Sequence, residues 1–220
     1  MNFCGELTFI QSGSDDNVDR VTKSTPVSPQ TVQGAARDLF ASRGYRGTSM
    51  KDIAEVLGVS APNLYNHVPS KQDLLFTIMD VAMDRALAAL DVALEGVHDV
   101  SEQLRRATEA TVLDFLDNPA EVTVCNTEIR SLVEPHRTTI IGKRDAYGGR
   151  LRAIVERGCT EGRFDIAEPR VASYAILEMG NNAKAWFNPD GGYTAAEVAR
   201  MYGDFALRIV GYTPPPDVDL

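Results

Sequence analysis

The sequence predicts an all-α protein in which a small N-terminal helical domain continues into a larger helical bundle. Three observations point there. Apolar residues recur at three- and four-residue spacing almost everywhere from Ser28 onward. No stretch sustains the alternation of a half-buried strand, and no internal repeat is present. Capping side chains, glycines and prolines fall where such helices start and stop.

The elements follow in order. Ser28 caps a first helix with Pro29 at its first position, where a missing N–H costs nothing. Val32, Ala35, Ala36, Leu39 and Phe40 form its apolar stripe, and Gly44 supplies its stop. A second helix begins after Thr48 or Ser49 and carries Ile53, Ala54 and Leu57 on one face. Gly58 suits the left-handed turn that follows, and Val59 plugs the corner. Ser60 caps a third, short helix with Pro62 in its first turn, where Leu64 and Val68 face inward. Ser70 caps a fourth, long helix running to about Leu94. Ser101 starts a fifth that Asn118-Pro119 breaks, and further helices are expected near 120–132, 137–160, 168–186 and 194–210. Residues 1–27, rich in Ser, Asp, Asn and Thr, read as a flexible arm, and 214–220 as a tail.

Composition narrows the function classes. The chain has 220 residues, 44% of them hydrophobic, enough for a well-buried core in one or two domains. No apolar run is long enough to span a membrane, so no membrane partner is expected, and the N-terminus lacks the pattern of a signal peptide. Cys4, Cys125 and Cys159 are scattered, form no metal-ligand spacing or disulfide framework, and fit reduced thiols in a cytoplasm. The net charge of −9 is uneven: residues 28–75 carry five basic and four acidic groups, while residues 76–220 carry fifteen and twenty-three. The segment holding the helix pair is thus the only one without negative excess, which permits contact with a polyanion.

That pair, from Thr48 to Lys71, has the form of a helix-turn-helix, whose second helix enters the major groove of duplex DNA. Ala61, Pro62, Asn63, Tyr65 and Asn66 point outward once Leu64 and Val68 are buried. Asn63 suits adenine, and Ala61 and Pro62 suit thymine methyls. Tyr65, His67, Lys71 and Thr48 suit phosphates, with Ser49 and Ser60 at the two helix starts.

These residues resemble the TetR family of bacterial transcriptional regulators. The family commonly reads T-x-x-x-I-A-x-x-x-G-V-S-x-x-x-L-Y-x-H-F-x-x-K, and Ser49, Ile53, Ala54, Gly58, Val59, Ser60, Leu64, Tyr65, His67 and Lys71 follow it. Val68 departs from it, standing where an aromatic is usual. The resemblance implies a helix-turn-helix domain over 28–75 and a ligand-binding and dimerisation bundle over 76–213. It further implies a homodimer on a near-palindromic operator, with repression relieved by a small hydrophobic effector.

The bundle says less. Its segments 124–160 and 185–211 are similar to TetR-type regulators that respond to fatty acyl-CoA or related thioesters. Phe115, Ile129, Leu132 and Val133 are expected to line an apolar cavity, with Asn126, Glu128, Arg130 and Tyr147 as polar anchors. Ordinary bundle core with surface ion pairs has the same composition. The basic excess at Arg137, Lys143, Arg144, Arg150 and Arg152 suits either a phosphate-bearing ligand or a solvated face. Apolar faces at Ala172, Ala175, Ile176 and Met179, and at Val198, Met201, Phe205 and Ile209, are expected to pair the last two helices with a second copy.

The rival classes are an all-α enzyme and a helical binding protein without DNA contact. His67, His98 and His136 have no partner at catalytic spacing, and no H-E-x-x-H, G-x-S-x-G, P-loop or Rossmann glycine pattern occurs. No catalytic residue, metal or cofactor is expected.

Overall fold

The computed structural model describes residues 28–214, so the expected arm at 1–27 and the tail from 215 onward lie outside the described residues. Among the described residues every element is helical. They are α1 (Pro29–Arg43), α2 (Met50–Val56), α3 (Ala61–Tyr65), α4 (Lys71–Leu94), α5 (Val100–Asp117), α6 (Pro119–Thr127), a 3₁₀ turn (Ile129–Ser131), α7 (His136–Thr160), α8 (Pro169–Ala183) and α9 (Ala195–Ile209).

Local chemistry sets the first four. The Ser28 hydroxyl accepts from Thr31 N at 3.1 Å, and Ser70 does the same for Asp73 N at 3.1 Å. Ser49 and Asp52 form a reciprocal capping box on α2. Gly58 ends that helix at φ 67°, a conformation that costs a side chain with a Cβ about 1 kcal/mol. Val32, Phe40, Ile53, Leu64, Leu75 and Met79 are fully enclosed in the core these helices share.

That core is not closed by the N-terminal helices alone. Val124 and Cys125 of α6, Leu132, and Ile140 of α7 complete it. α4 serves two cores, placing Leu74 to Ala82 in the first and Ala86 and Leu90 in a second with Leu104, Ile154, Val155, Ile176 and Ala206. α5 runs through the middle of the bundle. α9 crosses it closely because Gly203 has no side chain: a Cβ there would lie 2.9 Å from Arg105 Cγ and 3.2 Å from Arg105 O.

Two of the expected boundaries that move have a visible cause. α5 starts at Val100 rather than at Ser101, because Asp99 is the cap: its Oδ1 accepts from Ser101 N at 3.0 Å and Glu102 N at 2.9 Å. The helix expected over 120–132 stops at Thr127. Gln72 of α4 takes hold of the chain beyond it, donating to Ser131 O at 2.8 Å and accepting from Val133 N at 3.1 Å. Two hydrogen bonds from a partner 59 and 61 residues away outweigh continued helix, and the chain tightens into the 3₁₀ turn.

Candidate DNA-contacting face and effector cavity

On α3, Leu64 is fully enclosed and Val68 nearly so, which fixes the rotation of the helix. Pro62, Asn63, Tyr65 and Asn66 are exposed, while Ala61 and His67 are half-buried. The Ser60 hydroxyl accepts from Asn63 N at 3.4 Å, and Ser49 accepts from Asp52 N at 3.2 Å, so both serines are committed to their helix starts. Thr48 departs from its expected role. Only 2% exposed, it donates its hydroxyl to Gly44 O at 3.0 Å and lies 3.3 Å from Leu39 O. It ties α2 to α1 and is not free to donate to a phosphate.

Lys71, the first residue of α4, is held by a residue the sequence reading missed. Its ammonium sits 3.9 Å from the centroid of the Tyr45 ring, and the Tyr45 hydroxyl accepts from Gln72 Nε2 at 2.7 Å. Partial burial lowers the Lys71 pKa from its ordinary value. The face therefore presents Asn63 and Tyr65 from α3 beside a cation fixed at the next helix start.

A cavity of about 140 Å³ opens among α4, α5, α6, α7 and α8. Ala82, Met83, Ala86, Phe115, Val122 and Leu177 supply apolar wall. Arg85, Asp114 and Tyr147 supply polar groups along the wall, and Asn126, Arg144, Glu178 and Asn181 also line it. Asn126 Nδ2 donates to Asn181 Oδ1 at 2.8 Å, joining α6 to α8. Arg144, exposed on α7, donates to Cys125 O at 3.0 Å and has no carboxylate partner among the described residues.

Phe115, Asn126 and Tyr147 of the expected set line this cavity; Glu128, Ile129, Arg130 and Val133 do not. Their placement assumed that the helix continued past Thr127. In the 3₁₀ segment Glu128 instead accepts from Ser131 Oγ at 2.8 Å, Ile129 packs on the N-terminal core, and Arg130 and Val133 face solvent. Leu132, also expected at the cavity, is buried in that same core. Most of the basic excess on α7 is spent against carboxylates. Lys143 pairs with Asp80 at 2.5 Å and Asp84 at 2.6 Å, Arg150 pairs with Asp91, and Arg152 pairs with Glu156 at 3.6 Å.

Arg85 and Asp114 escaped the sequence reading, yet Asp114 left a signal: a charge set inside the apolar run Val112 to Leu116. Arg85 Nε donates to Asp114 Oδ1 at 2.8 Å, and its Nη1 pairs with Glu121 of α6. The other Glu121 oxygen meets Arg37 of α1 at 3.4 Å. Burial opposes the Arg85 charge, but the hydrogen bonds to Asp114 and Glu121 outweigh it and raise its pKa. A line of four charges thus runs from the cavity wall to the first helix of the DNA-contacting unit.

At the far end, Val171 and Tyr174 on α8 and Met201 and Phe205 on α9 are exposed, as are Trp186 and Tyr193 between the helices. Of the faces expected to pair with a second copy, Ala172, Ile176 and Val198 are instead buried within the chain's own cores. Ala175, Met201 and Phe205 of the same expected faces are exposed. No helix among the described residues is long and apolar enough to cross a membrane, and no cluster of metal-binding side chains occurs among them.

Residues 34–78 match the model for bacterial regulatory proteins of the tetR family, and residues 97–210 match the Tetracyclin repressor-like, C-terminal domain. The transcriptional repressor KstR2 of Rhodococcus jostii is 26% identical over 179 residues, 78% of this chain and 85% of the relative. The crystal structure of the TetR family regulator PfmR from Thermus thermophilus is 39% identical with a TM-score of 0.71, covering 81% of this chain and 97% of that one. AibR, solved in complex with isovaleryl coenzyme A and operator DNA, is 25% identical with a TM-score of 0.73, covering 84% and 99%.

Proposed function

The chain belongs to the tetR family of bacterial regulatory proteins, and from that premise we propose that it is a homodimeric, cytoplasmic repressor released from its operator by an acyl-CoA thioester. Residues 28–75 form the DNA-binding unit and 76–213 the effector and dimer unit. Two copies of α3 enter successive major grooves about 34–36 Å apart. Asn63, Ala61 and Pro62 meet bases, while Tyr65, His67 and Lys71 meet phosphates.

The ion-pair line Arg37–Glu121–Arg85–Asp114 is the observation that carries ligand control. A ligand that repositions Arg85 or Asp114 changes what holds Glu121, and Glu121 holds α1. Its effect on DNA affinity equals its differential binding to the two arrangements. Arg144 favours an anionic carrier, as the phosphates of coenzyme A supply, while the acyl group enters the apolar part. The AibR complex, with isovaleryl coenzyme A and operator DNA together, supports the same pairing of ligands here. Repression is read from KstR2, a named repressor. The regulator works by binding alone and catalyses no reaction.

Gel shifts with DNA from upstream of its own gene, titrated with isovaleryl-CoA, test this reading. Binding falls as salt rises, and Tyr65→Ala with Lys71→Ala abolishes it. Undiminished binding by that double variant refutes the DNA-contacting face, and complexes that no thioester releases refute the effector class.

A further inference from the structure

The hydrogen bonds around the cavity leave two acceptors unused. Thr111 Oγ1 lies 2.7 Å from Ala107 O, one helical turn back, and a carbonyl can only accept, so the hydroxyl spends its one proton there. The 2.7 Å contact between Thr111 and the Tyr147 hydroxyl is therefore donated by Tyr147. The Tyr147 oxygen keeps an unused lone pair and has no proton left to give. One turn further along the same face of α5, Asp114 Oδ1 accepts from Arg85 Nε at 2.8 Å and Asn118 Nδ2 at 3.2 Å. Asp114 Oδ2 accepts nothing among the described residues. Both residues line the cavity.

The line Asp114–Arg85–Glu121–Arg37 sums to zero, and Arg85 Nη2 is a buried donor without a partner on the same wall. A ligand carboxylate could accept from that donor but has no proton for either open acceptor, whereas a hydroxyl can both donate and accept. A neutral group that donates a hydrogen bond is what the two open acceptors lack. The volume sets a second limit: about 140 Å³ is near that of an engineered cavity of about 150 Å³ that holds benzene. A guest of roughly six heavy atoms fills it, and a long alkyl chain does not.

We infer that the effector's acyl group is short and hydroxylated, its hydroxyl donating to Tyr147 or Asp114; this rests on the cavity being the thioester site. Butyryl-CoA, 3-hydroxybutyryl-CoA, succinyl-CoA and palmitoyl-CoA, titrated calorimetrically into the full chain, distinguish the alternatives. 3-Hydroxybutyryl-CoA binds roughly tenfold tighter than butyryl-CoA, the worth of one well-made hydrogen bond, while succinyl-CoA binds more weakly than 3-hydroxybutyryl-CoA and palmitoyl-CoA more weakly than both. Tyr147→Phe or Asp114→Asn, each checked for an unchanged circular dichroism spectrum, narrows the ratio between the first two thioesters. Butyryl-CoA binding as well as its hydroxylated counterpart, or a ratio that neither variant moves, overturns the hydroxyl and leaves the effector site standing. Failure of all four to bind overturns the effector site and this inference with it.

Discussion

Leu64 and Tyr65 are adjacent in sequence and opposite in duty. Leu64 has no exposed surface, so Leu64→Ala leaves a cavity under the recognition helix and costs about 2–4 kcal/mol, read as a fall in the urea midpoint. Tyr65 is 52% exposed, so Tyr65→Ala leaves that midpoint nearly unchanged and weakens operator binding roughly three- to tenfold. A midpoint that follows Tyr65 instead would mean that the helix is rotated from its described position. Cys125 makes a second residue-level contrast. Burial pushes its thiol up to about 12, so at pH 8 it holds its proton and iodoacetamide modifies half-buried Cys159 before Cys125, as peptide mapping can show. The raised pKa also has a sign: stability is full below the ordinary thiol value and declines as pH rises from there toward about 12.

Among the helices, ends matter as much as faces. α2 and α9 each begin with a capping box, Ser49 with Asp52 and Thr194 with Glu197. Hydrogen bonds from the Ser49 hydroxyl and backbone hold the Asp52 carboxyl below its ordinary range, and those from Thr194 do the same for Glu197. A lowered folded-state pKa gives stability that is present above the ordinary carboxylate value and is lost as pH falls through the folded value. Resistance to urea is therefore expected to weaken below about pH 4, and Asp52→Asn to flatten part of that slope. Such caps explain why α1 to α4 were legible in the sequence: each start depends on residues three apart, and the Gly58 turn on a single missing Cβ. The break after Thr127 was not legible, because its cause is Gln72 on another helix. The cavity was legible only in part for the same reason. Its wall is gathered from five helices, and periodicity within one helix does not give its rotation against four others.

Across the whole molecule, sensing and DNA contact share material. The N-terminal core is finished by Val124, Cys125, Leu132 and Ile140, and Glu121 joins Arg37 to Arg85. Glu121→Gln removes the charge at the centre of that line. It is expected to raise the thioester concentration for half-release roughly tenfold relative to the variant's own operator affinity, as gel shifts at matched DNA occupancy can show. Pairing of two copies is tested at the opposite end. Phe205, 40% exposed on α9, stands on the apolar stripe, and Phe205→Asp is expected to yield monomers by sedimentation and to lose specific operator binding.

α4 gives this architecture a mechanical advantage. Its 24 residues form one uninterrupted rod of about 36 Å, with its beginning in one core and its end in the other. Pivoted near Ala82 to Ala86, a tilt of about 5° carries its N-terminus through an arc of roughly 1.5 Å, and twice that angle through about 3 Å. Lys71 and α3 ride on that end. In a symmetric pair the two arcs add or subtract directly in the distance between recognition helices. A tilt of that size would shift each tip by about half to nearly one base-pair step of roughly 3.4 Å.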